Sequence, residues 1–497
     1  MLNCSEPRRG ALVPAALWAL VVGLIGIYLL LVLLTAADRL ARPLEEITYG
    51  ESWLLDGARQ VARGDGLYAS PDRLPLMQIA YTPLYYVVVG GLQRVVGDHG
   101  YTVGRVVSLL ATLMGTLALA WSVRCVTGYW RFGWLAGGLL LTQNVTLLLW
   151  GSLERVDALA LGLTLVGLAL YTMRHTSAAA VLFVLAFFTK QTFFVAPLAA
   201  AVALWPCRPH VVRFAAILAC GIVGGVLVAQ WLTGGWFWWH TVTANANPLD
   251  LLTFSILMGS FLQFNGVPVL AALVAIVTLP TAPGERVWRL YFAGCLVLLP
   301  TVAKLGASSN YWVELTAATA ALLAIASYRL TAWPATRLVA PMVIAGALLI
   351  AVPAYQATAT ALSFAAADRL QSGTSQYVSM VGDGDTTPMR VDSAFVDFVA
   401  QQPGDLLTDN SGLAVAAGKR IEFEFQIFQL LRADDHWSQT PILEAIAARR
   451  FSLVALMHPL EGAVDNTRWS PEVQAALLEA YVPAGQQAGF WLYRPRP

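Results

Sequence analysis

Apolar residues fall in long runs along this chain, and polar segments separate the runs. The runs span residues 15–37, 82–97, 103–123, 132–150, 156–173, 178–204, 211–232, 254–279, 289–303, 312–327 and 336–356. A helix needs about 20 apolar residues to cross the roughly 30 Å core of a bilayer. Because lipid offers no hydrogen-bonding partners, a crossing segment must pair its own backbone groups, as a helix does. The pattern therefore predicts a polytopic α-helical membrane protein with about 11 spans.

The first run is too long for the apolar region of a secretory signal peptide. Arg8 and Arg9 precede a run that covers 15–37, whereas a signal peptide has an apolar region of about 7–15 residues. We therefore expect a retained first span with its N-terminus in the cytoplasm. The polar segment 38–81 that follows is the predicted first outer loop. Within it, residues 51–63 have helical spacing and are expected to lie along the membrane surface.

The charges of the loops orient the later spans, because cytoplasmic loops are rich in Lys and Arg. The basic loops are 208–213, 286–289 and 329–337. They alternate with the poorly charged loops 233–253 and 304–312, which we therefore place outside. The chain after residue 356 is then also outside.

The earlier spans allow two arrangements. In the first, every run crosses once, which puts Arg124 and Arg131 outside. In the second, run 82–97 does not cross fully, and run 178–204 is broken at Lys190 into two short helices. We favour the second arrangement because it obeys the charge rule more fully. It also places the acidic segment after residue 153 on the outer side.

Composition separates a membrane part from a solvated part. Hydrophobic residues make up 57% of the chain and charged residues 12%, about half the charged share of soluble proteins. Residues 360–497 nevertheless hold more than half of the 30 acidic residues. We therefore predict a membrane domain at 1–358 and a small C-terminal α/β extracytoplasmic domain at 359–497. Its predicted strands are 404–408, 451–457 and 489–493, and its predicted helices are 393–401, 441–450 and 470–480.

Several classes of function receive no support. The net charge is +1, and no basic tail or basic–aromatic motif is present, so nucleic acid is not an expected partner. The five cysteines contain no CxxC spacing and indicate neither a disulfide framework nor a zinc site.

Acidic residues in the first outer loop are the first candidates for chemistry. Glu45, Glu46 and Glu51 lie within a few residues of one another. They are either a solvated loop cluster or a site whose carboxylate removes a proton from an acceptor hydroxyl. Both interpretations stay open at this point.

Charged residues also interrupt the apolar runs. Glu154, Arg155 and Asp157 lie between two runs, where Asp157 is either a helix-end acid or a second outward-facing carboxylate. Lys190 lies near the middle of an apolar run, where a charge is costly. A phosphate partner would justify it, since lysine binds phosphate as a point charge.

Two outer loops carry polar groups beside aromatic residues. In loop 233–253, four aromatic residues precede His240, Asn245 and Asn247. This arrangement suits either a membrane-interface belt or a sugar. In the next loop, Lys304 and Asn310 are candidates to hold a phosphate, and Glu314 is a candidate partner of Lys304.

With these residues in view, the chain resembles the GT-C superfamily of integral membrane glycosyltransferases. It is similar to the polyprenyl-phosphate-sugar-dependent branch that includes protein mannosyltransferases and the aminoarabinose transferase, and to the bacterial RgtA/B/C/D-like group. The resemblance covers about residues 15–330. It rests on Tyr49-Gly50-Glu51, Gly64-Asp65-Gly66-Leu67-Tyr68, Tyr81-Thr82-Pro83-Leu84-Tyr85, Gly104-Arg105, Arg155-Val156-Asp157, Thr189-Lys190-Gln191 and Ser309-Asn310-Tyr311.

The resemblance implies inverting transfer of a sugar from a polyprenyl-phosphate carrier to an acceptor hydroxyl, at the outer face of the cytoplasmic membrane. The family's first-loop acid is commonly one of an acidic pair, but here the position before Glu51 is Gly50. Glu51 is therefore the first choice of base and Glu46 the second, with Asp157 as the second-loop acid. The resemblance implies that the donor phosphate is bound by Lys190, Lys304 and Arg155.

The remaining implied contacts concern the sugar, the acceptor and ions. The candidate sugar- or acceptor-binding residues are Tyr81, Glu154, His240, Asn245, Asn247 and Asn310. No cofactor is required by this scheme and no metal-ligand spacing is present, although a divalent cation would be compatible with it. The acceptor is a glycan, a lipid or a protein. The alternative function is a transporter or flippase for a polyprenyl-linked lipid, which would more often show internal repeats with broken helices.

Overall fold

The computed structural model describes residues 9–48, 50–142, 150–281, 284–331, 338–349, 392–461 and 469–497. Tyr49, which belongs to one of the resemblance motifs, lies outside these residues. So do parts of two predicted apolar runs, 143–149, and 336–337 with 350–356. The helices before residue 350 are α1 (Arg9–Leu40), α2 (Glu51–Arg63), α3 (Leu84–Val96), α4 (Thr102–Thr127), α5 (Trp130–Thr142), α6 (Val156–Thr172), α7 (Thr176–Thr189), α8 (Val195–Leu204), α9 (Arg208–Leu232), α10 (Leu251–Thr278), α11 (Arg286–Leu298), α12 (Val313–Thr331) and α13 (Val339–Leu349). Short helical turns cover Trp236–Thr243, Leu299–Ala303 and Ser309–Trp312.

Helices coincide with every apolar run, so the predicted polytopic helical membrane fold is confirmed. Among the described residues, six helical segments are long and apolar enough to cross a membrane. They are Val13–Leu40, Thr102–Thr127, Arg208–Leu232, Leu251–Thr278, Arg286–Ala303 and Ser309–Thr331. The apolar helices α3, α6, α7, α8 and α13 are shorter.

The two runs singled out in the sequence form one short helix and one broken helix. The helix within run 82–97 is α3, with 13 residues, which gives about 20 Å of length and falls short of a bilayer core. Run 178–204 breaks into α7 and α8, and Lys190 follows the last residue of α7 in an extended conformation. At the break the Lys190 amide still donates to the Ala186 carbonyl oxygen, and the Lys190 carbonyl oxygen accepts from the Phe193 amide.

The chain forms two compact units. The first, here called the helical unit, comprises the described residues of 1–39, 106–223 and 248–385. Its core contains large buried side chains such as Phe183, Phe214 and Trp288. The segment containing α12 is the most buried of the six candidate spans, and the segment Arg208–Leu232 is the least buried. This difference places α12 in the interior of the helical unit and leaves α9 at its surface.

The second unit, here called the mixed unit, comprises the described residues of 40–105, 224–247 and 386–497. It therefore joins the first outer loop and part of loop 233–253 to the C-terminal segment. Within it, α2 and α3 pack closely because both helices present glycine. A Cβ atom on Gly90 would lie 2.4 Å from the Ala58 carbonyl oxygen, and one on Gly57 would lie 2.7 Å from the Tyr86 ring.

The C-terminal segment forms a four-stranded mixed sheet flanked by helices. The strands are β1 (Asp405–Thr408), β2 (Phe451–Leu456), β3 (Tyr481–Gln487) and β4 (Phe490–Pro495), in the order β1-β2-β4-β3. β1 and β2 are parallel, and β4 is antiparallel to both β2 and β3. The helices are α14 (Ser393–Gln401), α15 (Ser411–Ala416), α16 (Phe425–Ala433), α17 (Thr440–Ala447) and α18 (Pro471–Ala480).

The predicted small α/β domain is therefore confirmed as a fold. β1, β2, β4, α14, α17 and α18 lie where the sequence predicts strands and helices. Ser470 caps α18 by accepting a hydrogen bond from the Val473 amide, and Pro471 occupies the first turn. β3, α15 and α16 were not predicted.

Candidate functional site

A fully buried ion pair holds the start of α2. The Arg105 guanidinium donates to both carboxylate oxygens of Glu51, at 3.0 Å each, and both side chains are 0% exposed. Arg105 comes from the first turn of α4 and also stacks on the Tyr101 ring. A bidentate ion pair of this kind is strong and geometrically specific.

The same pair organises the preceding loop. Arg105 donates to the carbonyl oxygens of Arg42 and Glu45, and Glu51 accepts hydrogen bonds from the backbone amides of Ile47 and Thr48. The carboxylate oxygens of Glu51 thus accept hydrogen bonds from both Arg105 and the loop backbone. The arrangement fixes the conformation of the loop that carries the neighbouring glutamate.

Glu46 has a different environment. One of its oxygens, Oε1, accepts hydrogen bonds from the amides of Gly50 and Ser52, at 3.0 Å each, and from the Ser52 hydroxyl at 2.8 Å. Gly50 reaches this position with a φ of 97°, a left-handed conformation that glycine adopts without strain. Burial and, to a smaller extent, the nearby Glu51 charge raise the pKa of the Glu46 carboxyl to about 7. A carboxyl with such a pKa exchanges protons near neutral pH, which suits a general base.

The C-terminal segment contributes the surface next to the second oxygen of Glu46. A Cβ atom on Gly412 would lie 2.8 Å from Glu46 Oε2, so a side chain at this position would require the Glu46 carboxylate to move. Two further contacts hold α15 against α2. The Trp53 indole donates to the Ser411 hydroxyl at 3.3 Å, and Arg59 donates to the Val415 carbonyl oxygen at 2.9 Å.

His240 joins two other segments of the mixed unit. Its Nδ1 accepts from the Ile79 amide at 3.1 Å, and its Nε2 lies 2.7 Å from the Ala69 carbonyl oxygen. A carbonyl oxygen only accepts, so Nε2 carries the proton and the ring is neutral. Burial lowers the pKa of His240 to about 4. Both ring nitrogens bind backbone, which leaves neither of them for the sugar contact suggested by the sequence.

Other predicted sugar- or acceptor-binding residues lie in the same neighbourhood. The Asn245 amide donates to the Ala80 carbonyl oxygen at 3.1 Å, and the Tyr81 carbonyl oxygen accepts from the Tyr68 hydroxyl at 2.9 Å. Tyr81, Asn245 and Asn247 are partly exposed. The structure thus brings these residues of the first outer loop and loop 233–253 together within the mixed unit.

In the helical unit, three predicted residues from distant parts of the chain form one buried cluster. Lys190 Nζ lies 2.6 Å from Asp157 Oδ1, and the Asn310 amide donates to the same oxygen at 3.0 Å. Asp157 is in the first turn of α6, where the helix dipole favours negative charge. The Lys190 ammonium also lies 5.3 Å from the centre of the Tyr311 ring.

A second lysine is electrostatically coupled to this cluster. Burial and, to a smaller extent, the positive charge of Lys190 lower the pKa of Lys304 to about 8. Asn310 Oδ1 and Asp157 Oδ2 are buried and have no hydrogen-bond partner among the described residues. These two oxygens are acceptors, which the hydroxyl of a bound molecule would satisfy. The two lysine cations repel each other, and an anion beside them would reduce that repulsion.

The remaining predicted residues of this region are also buried. Glu154 is 0% exposed and Arg155 is 8% exposed, and the Arg155 guanidinium lies 5.1 Å from the centre of the Trp150 ring. Glu314 accepts a hydrogen bond from the Tyr291 hydroxyl at 3.0 Å. Within the described part of the chain, no group of three His, Cys, Asp or Glu side chains is placed to hold a metal ion.

Sequence reasoning missed two residues of these sites. Arg105 belongs to one of the motifs that carry the family resemblance, but nothing in the sequence pairs it with Glu51. Gly412 has no recognisable signal, because its role depends on a contact with a residue far away in the chain.

Comparison with known proteins adds evidence on the fold. No protein-family model matches the chain, and no curated protein matches it. Crystal structures of ArnT from Cupriavidus metallidurans, bound to undecaprenyl phosphate and in the apo state, both align with a TM-score of 0.60. Their sequence identities are 14% and 13%, and the alignments cover 95% and 96% of this chain and 97% and 98% of ArnT.

The archaeal oligosaccharyltransferase AglB from Archaeoglobus fulgidus, in complex with an inhibitory peptide and a dolichol-phosphate, aligns with a TM-score of 0.46 and 11% identity. That alignment covers 86% of this chain and 69% of AglB. The similarity to ArnT confirms the predicted fold, a polytopic helical membrane protein with a small C-terminal sheet.

Proposed function

We propose that this protein is an inverting glycosyltransferase that moves a sugar from a polyprenyl-phosphate carrier to an acceptor hydroxyl. The reaction takes place at the outer face of the cytoplasmic membrane, with the N-terminus inside and the C-terminal segment outside. The acceptor is a glycan, a lipid or a protein. The fold shared with ArnT supports this proposal, since one of the two ArnT structures is bound to undecaprenyl phosphate.

The coupled lysines of the helical unit carry the proposal. Lys190 pairs with Asp157, and its positive charge also lowers the pKa of Lys304, so two cations lie within electrostatic reach of each other. A lipid-linked phosphate beside them would be attracted by both charges and would accept hydrogen bonds from both ammonium groups. As the sugar leaves, negative charge develops on the phosphate oxygen, and preorganised cations stabilise it.

The acceptor hydroxyl requires a base, and we assign that role to Glu46. The hydroxyl oxygen attacks the anomeric carbon while the bond from that carbon to the phosphate oxygen breaks. The electron pair of the broken bond leaves with the polyprenyl phosphate, and the hydroxyl proton passes to the Glu46 carboxylate. A single displacement inverts the anomeric centre and needs no nucleophilic carboxylate. Neither a cofactor nor a metal ion has a part in this scheme.

The test of this function uses the purified full-length protein in liposomes. A radiolabelled polyprenyl-phosphate sugar pool is supplied with membrane-extracted acceptors, and both labelled product and transbilayer movement of the donor are measured. Transfer of label to an acceptor, with release of polyprenyl phosphate, supports the glycosyltransferase. Movement of the donor across the bilayer without any transfer would instead support the flippase.

The contact between Gly412 and Glu46 leads to a first prediction. In the variant Gly412→Ala, the new methyl group has to displace either the Glu46 carboxylate or the start of α15. We expect the transfer rate to fall about tenfold, with a loss of stability of about 1–3 kcal/mol from overpacking.

The matched control is Gly91→Ala, because a Cβ atom at Gly91 meets nothing within 4 Å. Transfer rates and thermal unfolding are measured for both variants. Equal rates for Gly412→Ala and the wild type would show that the C-terminal segment does not position Glu46.

A further inference from the structure

A cavity of about 340 Å³ in the mixed unit lies at the C-terminal ends of α2 and α3, beside the segment that follows α15. Its charged lining consists of five cations and one carboxylate. The lining residues are Arg59, Ala62, Arg63, Gln93, Arg94, Asp98, Gly418, Lys419 and Arg420. The volume is within the range of sites that bind small molecules or molecular headgroups.

Some of these cations have structural partners. Arg59 pairs with Asp98 at 2.7 Å, and Arg63 pairs with Asp65 at 2.9 Å. Arg94 donates to the last carbonyl oxygens of α2, which it caps.

The remaining cations are not neutralised by these contacts. Lys419 donates to the carbonyl oxygens of Gln402 and Gly404, which are uncharged acceptors. The exposed Arg420 has no hydrogen-bond partner among the described residues, and the nearby carboxyl groups of Asp56 and Glu422 interact with it through charge alone. Asp98 is the one carboxylate in the lining, so the lining itself carries an excess of positive charge.

A second observation points to a missing ligand. Gln93 lines the cavity and is 4% exposed, yet neither its Nε2 nor its Oε1 has a hydrogen-bond partner among the described residues. An unsatisfied buried amide costs about 1–3 kcal/mol, and folded proteins rarely leave one in this state. A bound group that offers an oxygen would accept a hydrogen bond from Nε2, and a hydroxyl of the same group would donate to Oε1.

We propose that this cavity is a binding site for a phosphate group. The Arg420 and Lys419 charges supply the attraction, and the planar guanidinium matches the geometry of phosphate oxygens. Gln93 donates from its amide nitrogen to one of those oxygens. The lining residues include none of the residues proposed to hold the donor phosphate or to act as the base. The phosphate is either a small soluble anion or the headgroup of a lipid.

The experiment uses the full-length protein and two probes. Inorganic phosphate is titrated against protein in neutral detergent by calorimetry. Separately, thermal unfolding is measured in nanodiscs that contain phosphatidylcholine alone or with phosphatidic acid. The variants are Arg420→Gln and Gln93→Leu. The control is Arg73→Gln, since Arg73 is also exposed but does not line the cavity.

The proposal predicts saturable binding of one probe that each cavity variant weakens about tenfold or more, as expected for the loss of a hydrogen bond to a charged group. Binding of inorganic phosphate identifies a soluble anion, and stabilisation by phosphatidic acid alone identifies a lipid headgroup. Without either probe, Gln93→Leu should unfold no more easily than the wild type, because it removes an unsatisfied amide.

Saturable binding of neither probe would overturn the proposal. An equal loss of binding in Arg73→Gln would also overturn it, because the effect would then come from general surface charge. None of these outcomes depends on sugar transfer, so this inference and the proposed function fail or succeed separately.

Discussion

Replacing Glu46 by glutamine is expected to lower the rate of sugar transfer by about 10²- to 10⁴-fold, the usual contribution of a general base. The glutamine side chain keeps an oxygen that can accept the hydrogen bonds from Gly50 and Ser52. The fold of the loop should therefore survive, and thermal unfolding should be close to that of the wild type. The lower rate of sugar transfer would then result from the missing proton acceptor and not from a change in the fold.

The pH dependence of the wild type provides an independent readout. The pKa of the Glu46 carboxyl is raised to about 7 by burial, so the group is protonated and inactive as a base below that pH. Transfer should rise as the pH increases through about 7 and then level off. In Glu46→Gln the residual rate should not show this step. A wild-type midpoint near pH 4.5, or a Glu46→Gln rate equal to the wild type, would contradict the assignment.

Two neighbouring glutamates serve as comparisons. The Glu45 carboxylate makes a partly exposed contact with Arg42, at 3.6 Å, so Glu45→Gln should change neither rate nor stability appreciably. Glu51→Gln removes the charge opposite the fully buried Arg105. Breaking a buried pair on one side costs about 3–5 kcal/mol. We therefore expect Glu51→Gln to lose transfer activity because the protein unfolds, which distinguishes a structural carboxylate from the base.

The sequence predicts the helices of the membrane part well, because the bilayer imposes one simple rule. A long apolar segment has to be helical in lipid, and the break at Lys190 is visible because a charge there is costly. The pairing of charged side chains is not predicted in this way. Glu51 and Arg105 are separated by 54 residues, and many charged residues of the first outer loop were equally eligible. Only the folded chain selects the pair and leaves Glu46 as the carboxyl with the raised pKa.

The strand β3 shows a second limit. Most of its residues are exposed, and it contains Pro483 and Gly485, which are unfavourable in strands. Local sequence therefore does not predict a strand there. The segment is extended because it pairs with β4 at the edge of the sheet, where proline and glycine are tolerated.

The buried pair Asp157–Lys190 leads to the other large effect. Lys190→Gln leaves the Asp157 carboxylate buried without its cation, and Asp157→Asn leaves the Lys190 ammonium without its carboxylate. Both side chains are 5% exposed or less, so each single variant should lose about 3–5 kcal/mol of stability. Thermal unfolding in detergent should show this directly. A single variant as stable as the wild type would mean that the pair is not buried in the membrane-embedded protein.

The double variant Asp157→Asn with Lys190→Gln separates structure from chemistry. Two amides can hydrogen-bond to each other without buried charge, so the double variant should recover most of the stability that each single variant loses. It should not recover transfer, because the cation proposed to face the donor phosphate is gone. We expect a rate at least about 10²-fold below the wild type, a loss typical of removing one electrostatic contact to a developing charge. If the double variant regains wild-type transfer along with its stability, Lys190 serves only to neutralise Asp157, and the phosphate has to be held by Lys304 without it.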